Sequence, residues 1–386
     1  MKTELELLHD QLMAVSVPED VFGMFPGLTG EQLKKGIGSV YKRLARNCHP
    51  DKYPDQNSFA TNVYTRLNTL NQAALEKVAN KTYGDRAPIH GGNGTGDYDP
   101  PISVKDEYML FRSFAVGDIA DLHLCYVEEK RKQTKFVFKS AREPADNPLL
   151  DRERNSLDML HKKLKGDWLM CVPQVKDSFL LVEAGSSIRK RVNVLEHFAG
   201  FVDGVAIHTA YPSGVDGRTI AWMWKRLLLM MDWSHKIGLI HGAVLPPHVM
   251  YYPDNDGGIQ RDKRKHAVRL VDWCYSVKND PKSKLVAWCP NYKSFYPPEV
   301  LAKKPLGPWT DLYMGAKTML YLLGGDVETN KFPDHVPKEL VNSFAECLRL
   351  DATRRPKDAG LYFEEFTRVL QRVYGPPKYH QFIMPK

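Results

Sequence analysis

The sequence predicts an α+β protein: a small all-α helical bundle followed by a larger body, β-rich at its start and α-rich towards its end. Three observations carry this reading. Two long segments before residue 80 space their apolar residues at helical intervals. A stretch crowded with glycine and proline, APIHGGNGTGDYDPP, then interrupts all periodicity at residues 87–101. Beyond it the pattern changes to short β-type runs and, after about residue 218, becomes mostly helical.

The first helix of the pair is expected over EQLKKGIGSVYKRLARNC, residues 31–48. Leu33, Ile37, Val40, Tyr41 and Leu44 share one face there, and Lys34, Lys35, Lys42, Arg43 and Arg46 spread over the other. Gly36 and Gly38 weaken this helix by about 1 kcal/mol each. After HPDKYPDQNS a second periodic run, residues 59–78, aligns Phe59, Val63, Leu67, Leu70, Ala74 and Val78. Two antiparallel helices joined by a proline-containing loop follow, and short helical segments before Pro26 close the bundle. In the larger body, residues 135–139, 179–183 and 192–196 read as strands. The longest helix is expected at 219–238, with Ile220, Met223, Trp224, Leu227, Leu228 and Met231 on its buried face.

Composition bounds the class. A length of 386 residues suits a small module plus a larger one, and 43% apolar with 26% charged residues is ordinary for a globular chain. The six cysteines are scattered without a CxxC pair, which argues for reduced thiols rather than a disulfide framework or a zinc cluster. The amino-terminal MKTELELLHDQLM is acidic and amphipathic, and no run of eighteen uncharged apolar residues occurs, so no membrane association and a cytoplasmic location are expected. A net charge of +8 would suit a weak polyanion-binding surface, but such a balance is also common in proteins that never touch nucleic acid, and that reading is favoured.

His49, Pro50 and Asp51 stand in the turn between the two helices. Pro50 breaks the helix and fixes φ, pushing the flanking side chains outward. Capping by Asp51 or a helix-dipole contact from His49 would explain either residue alone, but not the set. With the basic helix before it and Leu67-Asn68 in the helix after it, the segment from about Val17 to Arg86 resembles a J domain, the module of DnaJ-type co-chaperones. The resemblance implies docking on a DnaK-type chaperone through His49, Pro50, Asp51 and Lys52. Asp51 would meet a chaperone arginine, and Lys35, Lys42, Arg43 and Arg46 an acidic surface. The start of the basic helix lacks the family's usual tyrosine. Stimulated ATP hydrolysis by the partner is the implied output.

Residues 102–375 resemble a protein kinase, giving a bilobal body with a β-rich and an α-rich lobe. The organisation implied is a helical extension (1–16), J domain (17–86), linker (87–101), kinase-like domain (102–375) and tail (376–386). FVFK, ending at Lys139, matches the strand whose lysine reaches nucleotide phosphates. Glu153 in LLDRERNSLDML matches the glutamate that pairs with it. HGAVLPPHV stands where a kinase has HRDLKPENV: His241 is kept, Ala243 replaces the catalytic aspartate, Leu245 the lysine and His248 the metal-binding asparagine. An alanine methyl accepts no proton, and an imidazole is a poor magnesium ligand. LVDWCYS retains Asp272, while YPPEV, DLYMGAK and DATRRP supply the structural residues Glu299, Asp311 and Arg355, the last expected to pair with Glu299.

Anchors are thus kept where chemistry is lost, which is the pattern of a pseudokinase serving as a binding module. The stretch aligned with the phosphate loop holds only Gly117 and carries Asp118 and Asp121, whose charges would repel a triphosphate. No cofactor and no metal are expected, with at most weak ATP binding in the residual cleft of Lys139, Glu153 and Asp272. RDKRKH at 261–266 reads as a solvated hairpin tip before a polyanion contact, since no aromatic residues interleave it. The expectation is a co-chaperone adaptor with an unknown client. An atypical kinase using Lys139 and Asp272, or an adaptor binding nucleic acid or an acidic partner through 261–266, are the alternatives.

Overall fold

The structure is a computed structural model and describes residues 3–13, 18–23, 30–83, 102–104, 108–129, 132–163, 165–182, 188–254 and 267–385. The predicted linker at 87–101 and the basic cluster at 261–266 lie outside the described residues. The chain divides into two compact units. One is built from Met1–Asp146 with Phe179–Val192, the other from Asn147–Ser178 with Asn193–Lys386. This division falls within the segment that the sequence assigns to one downstream domain.

In the first unit, helices α1 (Glu4–Met13), α2 (Glu19–Phe22), α3 (Gly30–Cys48) and α4 (Asn57–Ala79) share one core. Leu33 and Ile37 of α3 meet Val63, Leu67 and Leu70 of α4, and each such side chain contributes roughly 1.5–3 kcal/mol by leaving water. Gly36 is buried within α3, and the helix runs through it. Leu5, Leu8 and Leu12 of α1 belong to the same core, and Arg66 Nε donates to the Leu12 carbonyl at 3.2 Å. The amino-terminal helix is therefore part of the bundle and not an appendage to it. Glu19, almost fully buried, receives Lys77 Nζ at 2.7 Å, tying α2 to the end of α4.

The same unit holds an antiparallel hairpin, β3 (Ala120–Glu129) with β4 (Lys132–Ala141), in unbroken register from Ala120↔Ala141 to Glu129↔Lys132. Its sheet has the order β1-β2-β3-β4-β6-β5, with β1 (Ile102–Val104), β2 (Tyr108–Val116), β5 (Val175–Val182) and β6 (Arg189–Glu196). Two register shifts bend β2 against β3.

The second unit is mostly helical. Around α7 (Gly217–Ile237), whose Trp224, Leu227 and Leu228 are completely buried, pack α9 (Pro308–Leu322), α10 (Lys338–Cys347) and α11 (Ala359–Tyr374). Helices α5 (Asn147–Lys163), α6 (Gly204–Ala210) and α8 (Pro298–Leu301) complete it. Short strands β7 (Val202–Asp203), β8 (Leu239–Ile240), β9 (Val249–Tyr251), β10 (Val268–Leu270) and β11 (Val277–Lys278) fix the loops between them. Among the described residues no helix is long and apolar enough to cross a membrane.

Candidate functional site

Two constellations stand out, one in each unit. In the first, Pro50–Lys52 form a 3-10 turn closed by Lys52 N–H on the His49 carbonyl and Tyr53 N–H on that of Pro50, each at 3.0 Å. The His49 side chain is about half exposed and that of Asp51 almost fully exposed. They are not splayed apart: Asp51 N–H donates to His49 Nδ1 at 3.3 Å, and the carboxylate stands 3.5 Å from the same nitrogen. Because Nδ1 accepts that N–H, the ring proton sits on Nε2, which is left as the available donor. The edge of Tyr64 on α4 meets the His49 ring at 5.4 Å, and Tyr53 O–H donates to the Asn47 carbonyl, so both helices hold the corner. Lys35, Lys42, Arg46 and Lys52 are exposed. Arg43 departs from the expected open basic face. It is partly buried, and burial first, then the charge of Arg142, hold its guanidinium below the usual arginine range.

In the same unit Lys139 is a buried lysine on β4, opposite Leu122 of β3. Asp121 lies 3.5 Å from the Arg142 guanidinium, so one of the charges expected to repel a triphosphate is partly neutralised.

The second constellation forms around the loop 241–248. Asp311 on α9, fully buried, accepts His241 N–H at 2.8 Å and Gly242 N–H at 2.9 Å, and His235 Nε2–H reaches it at 2.9 Å. Gly242 has a φ of 77°, and a Cβ there would come within 2.7 Å of the Tyr275 carbonyl, so only glycine fits. His241 donates from Nε2 to the Val271 carbonyl at 3.0 Å and accepts Ala243 N–H on Nδ1 at 3.2 Å. The acceptance at Nδ1 requires the neutral ring, and burial pushes its pKa down to about 4. Ala243 and Leu245 are fully buried.

His248 donates from Nδ1 to the Ala243 carbonyl at 2.8 Å and presents Nε2 to Asp272 Oδ2 at 3.1 Å. Asp272 holds a left-handed backbone, φ 63° and ψ 63°, a conformation that costs a non-glycine residue about 1–3 kcal/mol. The turn after it is fixed by Ser276 Oγ, which bonds the Trp273 carbonyl at 2.7 Å and Ser156 Oγ on α5 at 2.8 Å. One turn earlier on α5, Glu153 is fully buried and its Oε2 receives Asn193 Nδ2 at 3.0 Å. The ligand atoms of Glu153, Asp272 and Cys274 all lie within 4.8 Å of one another. Elsewhere in this unit Arg355 forms a two-pronged pair with Glu299, 2.6 and 3.1 Å, and Thr310 Oγ1 donates to the same carboxylate at 3.2 Å.

Sequence reasoning missed Asn193, Ser156, Ser276, His235 and Cys274. Ser156 lies within LLDRERNSLDML, and Cys274 and Ser276 within LVDWCYS, but they were given no part there. Asn193 and His235 lie in no motif, and each of the five acquires its role through partners distant in the sequence.

Comparison with known proteins finds no matching family profile. The chain is similar to DnaJ homolog subfamily A member 4 of Homo sapiens, 27% identical over 90 residues, which are 23% of this chain and 21% of that protein. It thus spans about a fifth of that relative's length. This limited likeness to a DnaJ-type protein hints at a J domain.

Proposed function

We propose that the chain is a J-domain co-chaperone adaptor working in the cytoplasm. Its His49–Pro50–Asp51 corner and basic helix dock on a DnaK-type chaperone and stimulate ATP hydrolysis there. Its downstream kinase-like body is a catalytically inactive binding module for a client. The observation that carries this reading is the exposed corner: a carboxylate and an imidazole locked to each other at the end of a lysine- and arginine-bearing helix, in a chain with DnaJ-type similarity. The inactive module is supported by Ala243, a buried methyl that by the sequence resemblance stands where a kinase has its proton acceptor.

The test is the affinity of a purified DnaK-type chaperone for the full chain as ionic strength rises. Affinity falls with salt, and Lys35→Glu with Lys42→Glu and Arg46→Glu weakens it further at low salt. Salt-independent binding, unaffected by the triple variant, contradicts the docking face. Retention of Asp272 favours a second reading, residual phosphotransfer; labelled phosphate moved from ATP by the parent and not by Asp272→Ala would establish it.

A further inference from the structure

We propose that Glu153, Asp272, Cys274 and His248 form a binding site for a divalent transition-metal ion of the zinc class. The site lies wholly in the second unit and is independent of chaperone docking. It is built from three segments: Glu153 on α5, Asp272 and Cys274 in the turn after β10, and His248 at the end of the loop 241–248. Glu153 and Cys274 are fully buried, and the His248 side chain is nine-tenths buried.

His248 supplies an observation separate from the clustering. A carbonyl oxygen only accepts, so the 2.8 Å contact with Ala243 fixes the proton on Nδ1. In the neutral ring, Nε2 then presents a lone pair to the Asp272 carboxylate oxygen 3.1 Å away. The two atoms stand at hydrogen-bonding distance, and a metal ion bound there would take the place of the proton they share. Neighbouring nitrogen and oxygen ligands on tetrahedral zinc stand roughly 3.3–3.5 Å apart, so loading would open this pair by a few tenths of an ångström. The Cys274 sulfur lies within 4.8 Å of a carboxylate oxygen of Glu153 and of Asp272.

The donor set selects the ion. One thiolate, one imidazole and two carboxylates suit zinc or cobalt, whereas magnesium and calcium prefer oxygen-only cages. Loading displaces the Cys274 thiol proton, and any proton on His248 Nε2, to solvent. Asn193, which donates to Glu153 Oε2, orients that ligand from outside the site.

The experiment titrates the metal-free full chain with Co2+ and with Zn2+. The parent is expected to take up about one equivalent and to show a thiolate-to-cobalt charge-transfer band in the near ultraviolet. Cys274→Ser abolishes the band, and Cys274→Ser and Glu153→Gln each weaken zinc binding at least tenfold. His335→Ala, at an exposed histidine in the same unit, changes nothing. Far-ultraviolet circular dichroism checks that each variant is folded, and the parent titration stands whether or not they are. Absence of uptake by the parent, or a cobalt complex without the thiolate band, overturns the proposal.

Discussion

The carboxylate of Asp311 accepts the backbone N–H of His241, 70 residues earlier in the chain, at 2.8 Å. With the Gly242 N–H on its other oxygen it sets the course of the loop that leads to Ala243 and His248. Asp311→Asn places an amide donor against these donors in a fully buried site. It should cost about 2–4 kcal/mol, read as a lower midpoint in urea unfolding. An unchanged midpoint would show that the loop is held by other contacts.

Restoring an aspartate in the loop should not restore phosphotransfer. Ala243 is fully buried, so Ala243→Asp takes a carboxylate out of water and should destabilise the protein by several kcal/mol. The measurement is labelled-phosphate transfer together with thermal unfolding. Transfer by this variant would show that the surrounding cleft is competent.

Stability should depend on pH through His241. Its pKa in the folded protein, about 4, lies below its ordinary value of 6.5, so the unfolded chain takes up this proton first as the pH falls. The contribution is complete above pH 6.5 and is lost progressively towards pH 4, to the extent of about 3 kcal/mol. His241→Gln should reduce the proton uptake on unfolding in that window by one. Identical pH profiles for parent and variant would contradict the neutral buried ring.

The edge contact between Tyr64 and His49 predicts a positioning role for an aromatic ring outside the tripeptide. Tyr64→Leu should lower chaperone stimulation about fivefold, the worth of an aromatic contact of about 1 kcal/mol, while Tyr64→Phe preserves it. A variant-insensitive rate would mean that His49 needs no such support.

The bundle was legible where a regular period ran long enough to be read. The run predicted for 31–48 is the helix Gly30–Cys48, and that for 59–78 lies within Asn57–Ala79. Short helical segments before Pro26 were expected to close the bundle, but which residues of α1 do so was not legible, because Leu5, Leu8 and Leu12 meet a core only once α3 and α4 offer one. Strand ends were short in the reading for a similar reason. Predicted 135–139 extends to Lys132–Ala141 because β3 pairs with every residue of it.

In the loop 241–248, the residue substitutions could be read by resemblance, but the contacts could not. That His248 stands 3.1 Å from Asp272 depends on the left-handed backbone at Asp272, which an aspartate in a sequence does not announce. Cys274 read as an ordinary reduced thiol because its neighbour Glu153 arrives from α5, far away in the sequence. Arg43 read as part of an open basic face, since helical spacing alone does not show that Arg142, Glu143 and Asp146 of the same unit lie near it.

The corner formed by His49 and Asp51 is tested most directly by the ATPase rate of a DnaK-type chaperone. The full chain should raise that rate, and Asp51→Asn, which keeps the backbone N–H to His49 but removes the exposed charge, should leave it at the basal value. Equal stimulation by parent and variant, or none by either, would contradict the co-chaperone reading.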